Sequence, residues 1–399
     1  MLIRRLIAAL VVCVPFVFAT SASAAVKAPS GKAFYNAPAK LIKGKPGTVI
    51  WSRQIKYSAS GRVALPSSSK TMLVLYRSLS VKGKPIAVSG TIDIPKGKAP
   101  ATGWKVISWA HGTVGAADVC APSRATAGSP ADGYVSYATP TYDRWVKAGY
   151  AVLRTDYEGL GTPGPHPYLI GRSEGRSVVD IALAAKKLYP TQLSDDWVIG
   201  GHSQGGHASL FAASLAPQLA ASLNLKGVFA FAPASHLYEQ GQAVGLLGDS
   251  FKGLTGLIVM ILNSAARESN ANPKTIVSAS IAAKLPQLEK VCLAQLGDKK
   301  IFGNIAPNKV LKTGATTASV DQALRDMNPN LKIAAPALIL QGLSDTTVFP
   351  GFSNTLNDEL VANGNQVDYQ TFAGLNHSGV VTDPASEAVV TAWLKAVLP

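Results

Sequence analysis

Charged residues are scarce in this chain of 399 residues. Asp, Glu, Lys and Arg make up 15% of it against 47% hydrophobic residues, a balance that can bury a large core and excludes a disordered polymer or a coiled coil. Acid is the scarcer sign, with 23 acidic residues against 38 basic ones. The excess of lysine does not make a nucleic-acid groove. Its groups at Lys40, Lys43 and Lys45 and at Lys82 and Lys84 lack the interleaved aromatics on which single-stranded bases stack. No nucleic-acid partner is expected, and the basic surface fits loose attraction to lipid interfaces or an anionic envelope. Long apolar runs are missing too: no stretch after the N-terminus reaches the ~20 apolar residues that a membrane helix needs. The histidines show no close ligand spacing with carboxylates, so no metal is expected, and the chemistry read below needs no cofactor.

What is present begins with the N-terminus. Arg4 and Arg5 precede an apolar run from Leu6 to Phe18 and the small residues Ala22, Ser23 and Ala24, the three-part pattern of a secretory signal peptide over residues 1–24. An uncleaved anchor is the alternative. Cleavage would remove two of the basic residues and none of the acidic ones, leaving a net charge of +13. It would also remove Cys13, one of three cysteines. The remaining pair, Cys120 and Cys292, is expected to form one disulfide in an oxidising compartment, with two free buried thiols as the other reading.

Short β-branched runs recur at Met72–Tyr76, Ile86–Ile94, Val106–Trp109, Ala151–Leu153, Trp197–Ile199, Val228–Phe231 and Ala337–Leu340, each suited to a buried strand. Helix-compatible stretches at Val178–Leu188 and His207–Leu223 alternate with the later ones. The pattern predicts an α/β fold with a mostly parallel sheet flanked by helices, and an antiparallel edge formed by the strands before Trp104. Between Ser235 and about Asn330 no strand is convincing, and an unstructured loop of that length is improbable. Residues 236–330 are therefore expected to form an inserted helical subdomain, splitting a core of 25–235 and 331–399. Its main helix is read at Leu254–Leu262, with another near Ile281–Lys284; an ordinary continuation of the core would explain the same residues.

The sharpest chemical signal is Gly201-His202-Ser203-Gln204-Gly205, set between the strand Trp197–Ile199 and a helix. Glycines on both sides let strand and helix approach while the serine occupies a strained corner. Partners follow in order. Asp345 stands just past the strand Ala337–Leu340, and His377 follows a strand near Val367–Phe372, before a terminal helix near Ala385–Leu398. In that arrangement Ser203 is the nucleophile, His377 the base and Asp345 the group that fixes the imidazole. His236 is the rival base; Asp383, and less so Asp358 and Asp368, are rivals for the acid. His202 and His207 sit too close to the serine to reach its hydroxyl and are read as packing or pocket residues. Two backbone donors for a developing oxyanion are expected from Gln204 and from the turn His111-Gly112-Thr113, Thr113 first and Gly112 next. Tyr157 and Glu158, at the end of a buried strand, must hydrogen-bond or sit at a mouth.

With these residues assembled, the chain resembles the α/β-hydrolase superfamily. Within it, the run Thr155-Asp156-Tyr157-Glu158-Gly159-Leu160-Gly161, continued by Pro163, Pro167, Tyr168, Gly171 and Arg172, is similar to the signature of the secretory lipase family that includes the lipase A type of yeasts. The resemblance implies that this run lines the active-site floor, that the inserted helices form a cap receiving an acyl chain, and that Ser203, Asp345 and His377 match the triad. His111-Gly112-Thr113 departs from the yeast pattern and looks more like a bacterial esterase loop.

The expectation is a secreted serine carboxylester hydrolase, lipase-like, taking a lipid or other small ester as substrate. An exported aminopeptidase on the same triad would need an acidic patch for its substrate's amine, for which Asp249, Glu268 and Glu289 are the candidates. A non-catalytic scaffold on the same fold is the reading from another class.

Overall fold

A computed structural model describes residues 27–399; the signal-peptide reading over 1–24 and Cys13 lie outside them. Among the described residues, nine strands form one sheet in the order β1-β2-β3-β5-β4-β6-β7-β8-β9. They are β1 (Val49–Ile55), β2 (Ser68–Leu79), β3 (Pro85–Pro95), β4 (Trp104–Ala110), β5 (Tyr150–Thr155), β6 (Leu193–His202), β7 (Asn224–Phe231), β8 (Ala337–Gly342) and β9 (Val367–Phe372). The β1–β2, β2–β3 and β3–β5 pairs are antiparallel, and the pairs from β5 through β4 to β9 are parallel. This is the α/β-hydrolase fold, with the antiparallel edge where the sequence puts it.

Among the described residues, the α-helices of six residues or more are α1 (Asp132–Lys147), α2 (Gly171–Leu188), α3 (Gln204–Leu219), α4 (Leu237–Ala243), α5 (Thr255–Glu268), α6 (Asp321–Asp326), α7 (Pro350–Ala362) and α8 (Pro384–Val397). Strand alternation sends successive residues to opposite faces. Thus Val228 and Ala230 pack with Val178, Ile181 and Ala212 of α2 and α3, while Phe229 and Phe231 pack with Tyr142 and Trp145 of α1 and Leu394 of α8. Trp109 sits at the centre of the second layer, its ring centroid 5.2 Å from that of Trp145 and 6.1 Å from that of Phe229. Burying such a ring contributes about 4 kcal/mol as an upper estimate.

The strand order places β5 and β6 on opposite sides of β4. The chain leaves β4 for one side of the sheet and returns past it to the other, so the carboxyl ends of β4 and β6 flank the crevice where such sheets take their ligands. No strand occurs between β7 and β8. The intervening helices α4, α5 and α6 bury Val259, Met260, Leu262 and Leu324 in a cluster of their own with Tyr168, Leu169 and Ile170. The apolar run Leu254–Leu262 is helical as expected, in α5. The Ile281–Lys284 stretch falls short, winding a single α-turn over Ala279–Ala282 before a 3-10 segment, since Pro286 has no N–H to bond the Ala282 carbonyl and its ring clashes with that carbonyl in a continued α-helix.

Cys120 and Cys292 form the expected disulfide, across a separation of 172 residues. It ties the segment after β4 to these inserted helices. Beside it the Leu293 N–H donates to the Val114 carbonyl at 2.9 Å. No helix among the described residues is long and apolar enough to cross a membrane.

Candidate active site

The turn from β6 into α3 carries Ser203 with φ 58° and ψ −117°, a conformation that non-glycine residues hold only when their surroundings impose it. The flanking glycines show what does so. A Cβ on Gly201 would lie 1.9 Å from the Gly205 carbonyl oxygen, and one on Gly205 would lie 1.9 Å from that of Ala110. Only bare backbone fits there. Ser203 is held at its own backbone too, its N–H donating to Phe231 O at 2.9 Å.

Two further segments reach the same place. Past β8, Asp345 is buried and its Oδ1 accepts the Thr347 and Val348 N–H groups at 2.8 and 2.9 Å. Its Oδ2 meets His377 Nδ1 at 2.7 Å and Gln341 Nε2 at 3.3 Å. A carboxylate in that position accepts from Nδ1–H and leaves the His377 Nε2 lone pair free. Ser203 and His377 line one cavity of about 790 Å³. The Ser203 hydroxyl makes no hydrogen bond among the described residues, an open arrangement common in ligand-free sites, where such contacts tighten on binding.

The rivals lie elsewhere. His236 stacks on Phe352, 5.7 Å between centroids, with its Nε2 3.3 Å from Glu359. Asp383 caps α8 through the Ala385 N–H, Asp358 is within α7, and Asp368 accepts from Gln370.

In the turn after β4, Thr113 lines the cavity, and its Oγ1 lies 2.7 Å from Tyr168 Oη. The Gly112 N–H is already taken by the Tyr134 hydroxyl, which removes the second choice for an oxyanion donor. The Thr113 and Gln204 N–H groups meet no acceptor among the described residues; for Gln204 this follows from its place in the first turn of α3. Tyr157 donates to the His111 carbonyl at 2.8 Å, and Glu158 accepts from the Val81 N–H and the Ser173 hydroxyl. Tyr157 thus supports this turn, while Glu158 ties the β2–β3 connection to α2.

Sequence reasoning passed over α1 and the two tyrosines it delivers. The buried residues Val135, Ala138, Tyr142, Trp145 and Val146 recur at helical spacing, but Pro140 interrupts the run and masks the period. From α1, Tyr137 Oη lies 2.9 Å from His202 Nδ1, and His202 Nε2 lies 2.9 Å from the His377 carbonyl oxygen. The carbonyl only accepts, so Nε2 donates and Nδ1 takes the tyrosine proton. Burial, and then the nearby His377, hold the His202 pKa well below the ordinary histidine value, and this neutral ring braces the loop that carries His377.

The cavity's other wall comes from the helical segments between β7 and β8, through Leu237, Leu254, Leu257, Ile258 and Ile261. A smaller apolar cavity of about 70 Å³, sharing Leu237, Leu254, Ile258 and Ile261, continues toward Leu311 and Leu324. Among the described residues, no Asp or Glu lines the main cavity. Asp249, Glu268 and Glu289 instead pair with Lys252, Arg172 and Arg267.

Comparison with known proteins gives a consistent result. Residues 135–398 match the profile of the family described as secretory lipase. Lipase 6 of Candida albicans is 31% identical over 250 residues, 61% of this chain and 51% of its own length, so the chain spans about half of that relative. A "Probable inactive lipase" of Mycobacterium tuberculosis is 25% identical over 395 residues, 92% of this chain and 81% of its own. Among solved structures, Candida antarctica lipase A in its closed state aligns with a TM-score of 0.73 at 20% identity, covering 94% of this chain and 88% of that one.

Proposed function

The chain belongs to the secretory lipase family, and on that premise we propose that it is an exported serine carboxylester hydrolase that cleaves esters of lipophilic acids through an acyl-enzyme. The observation that carries this is the convergence on one cavity of a strained Ser203 and a His377–Asp345 pair bonded at 2.7 Å. In this reading the Ser203 oxygen attacks the ester carbonyl carbon as His377 Nε2 takes its proton. The Gln204 and Thr113 N–H groups receive the oxygen that becomes negative. His377 then returns the proton to the departing alcohol, and water, deprotonated by the same imidazole, releases the acid. Residues 236–330 act as a cap whose aliphatic wall holds the acyl chain.

The apolar wall also separates this reading from the peptidase. An amine substrate would need a carboxylate facing the cavity, and the candidates Asp249, Glu268 and Glu289 are instead paired with Lys252, Arg172 and Arg267. The similarity to a relative named as inactive makes turnover the decisive test. The assay is hydrolysis of p-nitrophenyl esters from acetate to palmitate, with an amino-acid anilide beside them, by the wild type and by Ser203→Ala. Medium or long esters should be preferred, and the variant should lose on the order of 10⁶-fold in kcat. Preferred cleavage of the anilide would favour the peptidase, and no turnover would refute the catalytic reading.

A further inference from the structure

One buried carboxylate beneath the site takes no part in the mechanism above. Glu174, in the first turn of α2, is 0% exposed. Its Oε1 accepts the Gln204 side-chain amide at 2.6 Å and the Leu169 N–H at 2.8 Å. Its Oε2 has no hydrogen-bond partner and faces His207 Nδ1, likewise unpartnered, at 3.5 Å. Neither Lys nor Arg pairs with it among the described residues. A buried acid so placed costs stability unless its bonds are put to use.

Each of its two bonds leads to one half of the oxyanion site. On one side, the Gln204 amide is held twice. His166 Nδ1 lies 2.8 Å from the Glu158 carbonyl oxygen and must donate to it, so its Nε2 is an acceptor, 2.9 Å from Gln204 Nε2. The two amide hydrogens therefore go to Glu174 and His166, which fixes the side chain of the residue whose backbone N–H meets no acceptor among the described residues. On the other side, the Leu169 N–H belongs to the peptide joining it to Tyr168. Leu169 has φ 58°, a strained conformation that needs such a restraint, and Tyr168 in turn bonds the Thr113 hydroxyl at 2.7 Å.

We propose that Glu174 is a positioning residue for the oxyanion site, clamping Gln204 directly and Thr113 through the Leu169–Tyr168 peptide. The inference rests on the serine-hydrolase reading above. It takes the carboxylate as an acceptor of two bonds, so a carboxamide does the same work. In Glu174→Gln the side-chain oxygen accepts both donors and the new NH₂ faces the bare His207 Nδ1.

The test compares wild type, Glu174→Gln and Glu174→Ala on a p-nitrophenyl ester, with rates normalised to the p-nitrophenol burst. A trifluoromethyl ketone serves as probe, since Ser203 adds to its carbonyl and leaves an oxyanion in the site. Removing one oxyanion donor outright costs on the order of 10²–10³ in kcat, and a displaced one costs less. Glu174→Ala should therefore lose roughly ten- to a hundredfold in kcat at nearly constant KM, and its Ki for the ketone should rise by a matching factor. Glu174→Gln should stay close to wild type in both. A residue that only stabilises the fold would lower the active fraction and leave burst-normalised kcat and Ki unchanged, and that outcome overturns the proposal. If Glu174→Ala does not fold, Gln204→Met removes the clamp from the other end and should shift kcat and Ki together; wild-type values of both would overturn the proposal equally. A wild type that neither turns over esters nor binds the ketone would instead refute the serine-hydrolase reading and this inference with it.

Discussion

Replacing both cysteines, Cys120→Ser with Cys292→Ser, removes the one covalent tie between the segment after β4 and the inserted helices. The bridge spans 172 residues, and in the chain-entropy account a loop of that length restricts the unfolded state by about 5 kcal/mol. For a chain of this size the unfolding entropy near the midpoint is about 0.8 kcal/mol per degree, so the double variant should melt about 6 °C lower. The catalytic rate should respond far less. The Leu293–Val114 bond at 2.9 Å survives the substitution and keeps Leu293 and Ala294 on the cavity wall. The assay is calorimetry at a fixed scan rate, paired with a thiol titration of the denatured wild type, which should find no free thiol at Cys120 and Cys292. A melting temperature within a degree or two of wild type, with the thiols shown to be oxidised, would refute the loop-entropy reasoning. It would mean that the unfolded chain already holds these segments together.

Two further outcomes follow from the same coordinates. Ile258 lines both the main cavity and its apolar extension, so Ile258→Trp should move the ester preference toward shorter acyl chains while sparing acetate; an unchanged chain-length profile would show that the acyl group lies elsewhere. Asp180 is buried against the Ser78 hydroxyl at 2.6 Å, and burial pushes its carboxyl up from 3.8 to about 6. Below pH 3.8 both folded and unfolded states hold its proton; between there and about pH 6 the unfolded state releases it first, so wild-type stability falls by about 3 kcal/mol as pH rises. Asp180→Asn has no such penalty and should gain on wild type in melting temperature from pH 4 to pH 7, and a difference that does not change with pH would refute the shift.

The divide between what the sequence revealed and what it hid follows the range over which each restraint acts. Ser203, the strand before it and the helix after it were legible because the elbow is local. The Gly201 and Gly205 backbones must each lie within touching distance of another backbone, and no other residue type allows it. The strand that feeds Asp345 was legible for a similar reason, since β8 is buried along its whole length and opens on an unbroken apolar run, whereas β9, which feeds His377, is a half-buried edge strand of mixed polarity. The α1 helix was hidden because Pro140 breaks the local pattern while packing against Trp109 and Phe229 sustains the helix.

Glu174 was harder to find, and for a deeper reason. Nothing near it in sequence distinguishes it from a solvated acid in the first turn of a helix, where acids are commonly favoured. Its meaning comes from Gln204, 30 residues away, and from the way α2 packs across α3. The supports of the candidate site are in the same position: Tyr137 acts on His202 across 65 residues, and His202 on the His377 carbonyl across 175. A motif can report the groups that are to meet a substrate, because their chemistry constrains the residue type at once. The groups that aim them are constrained only by the fold. They become visible when buried polar atoms are followed bond by bond, and here that path runs from a buried carboxylate to both halves of the proposed oxyanion site.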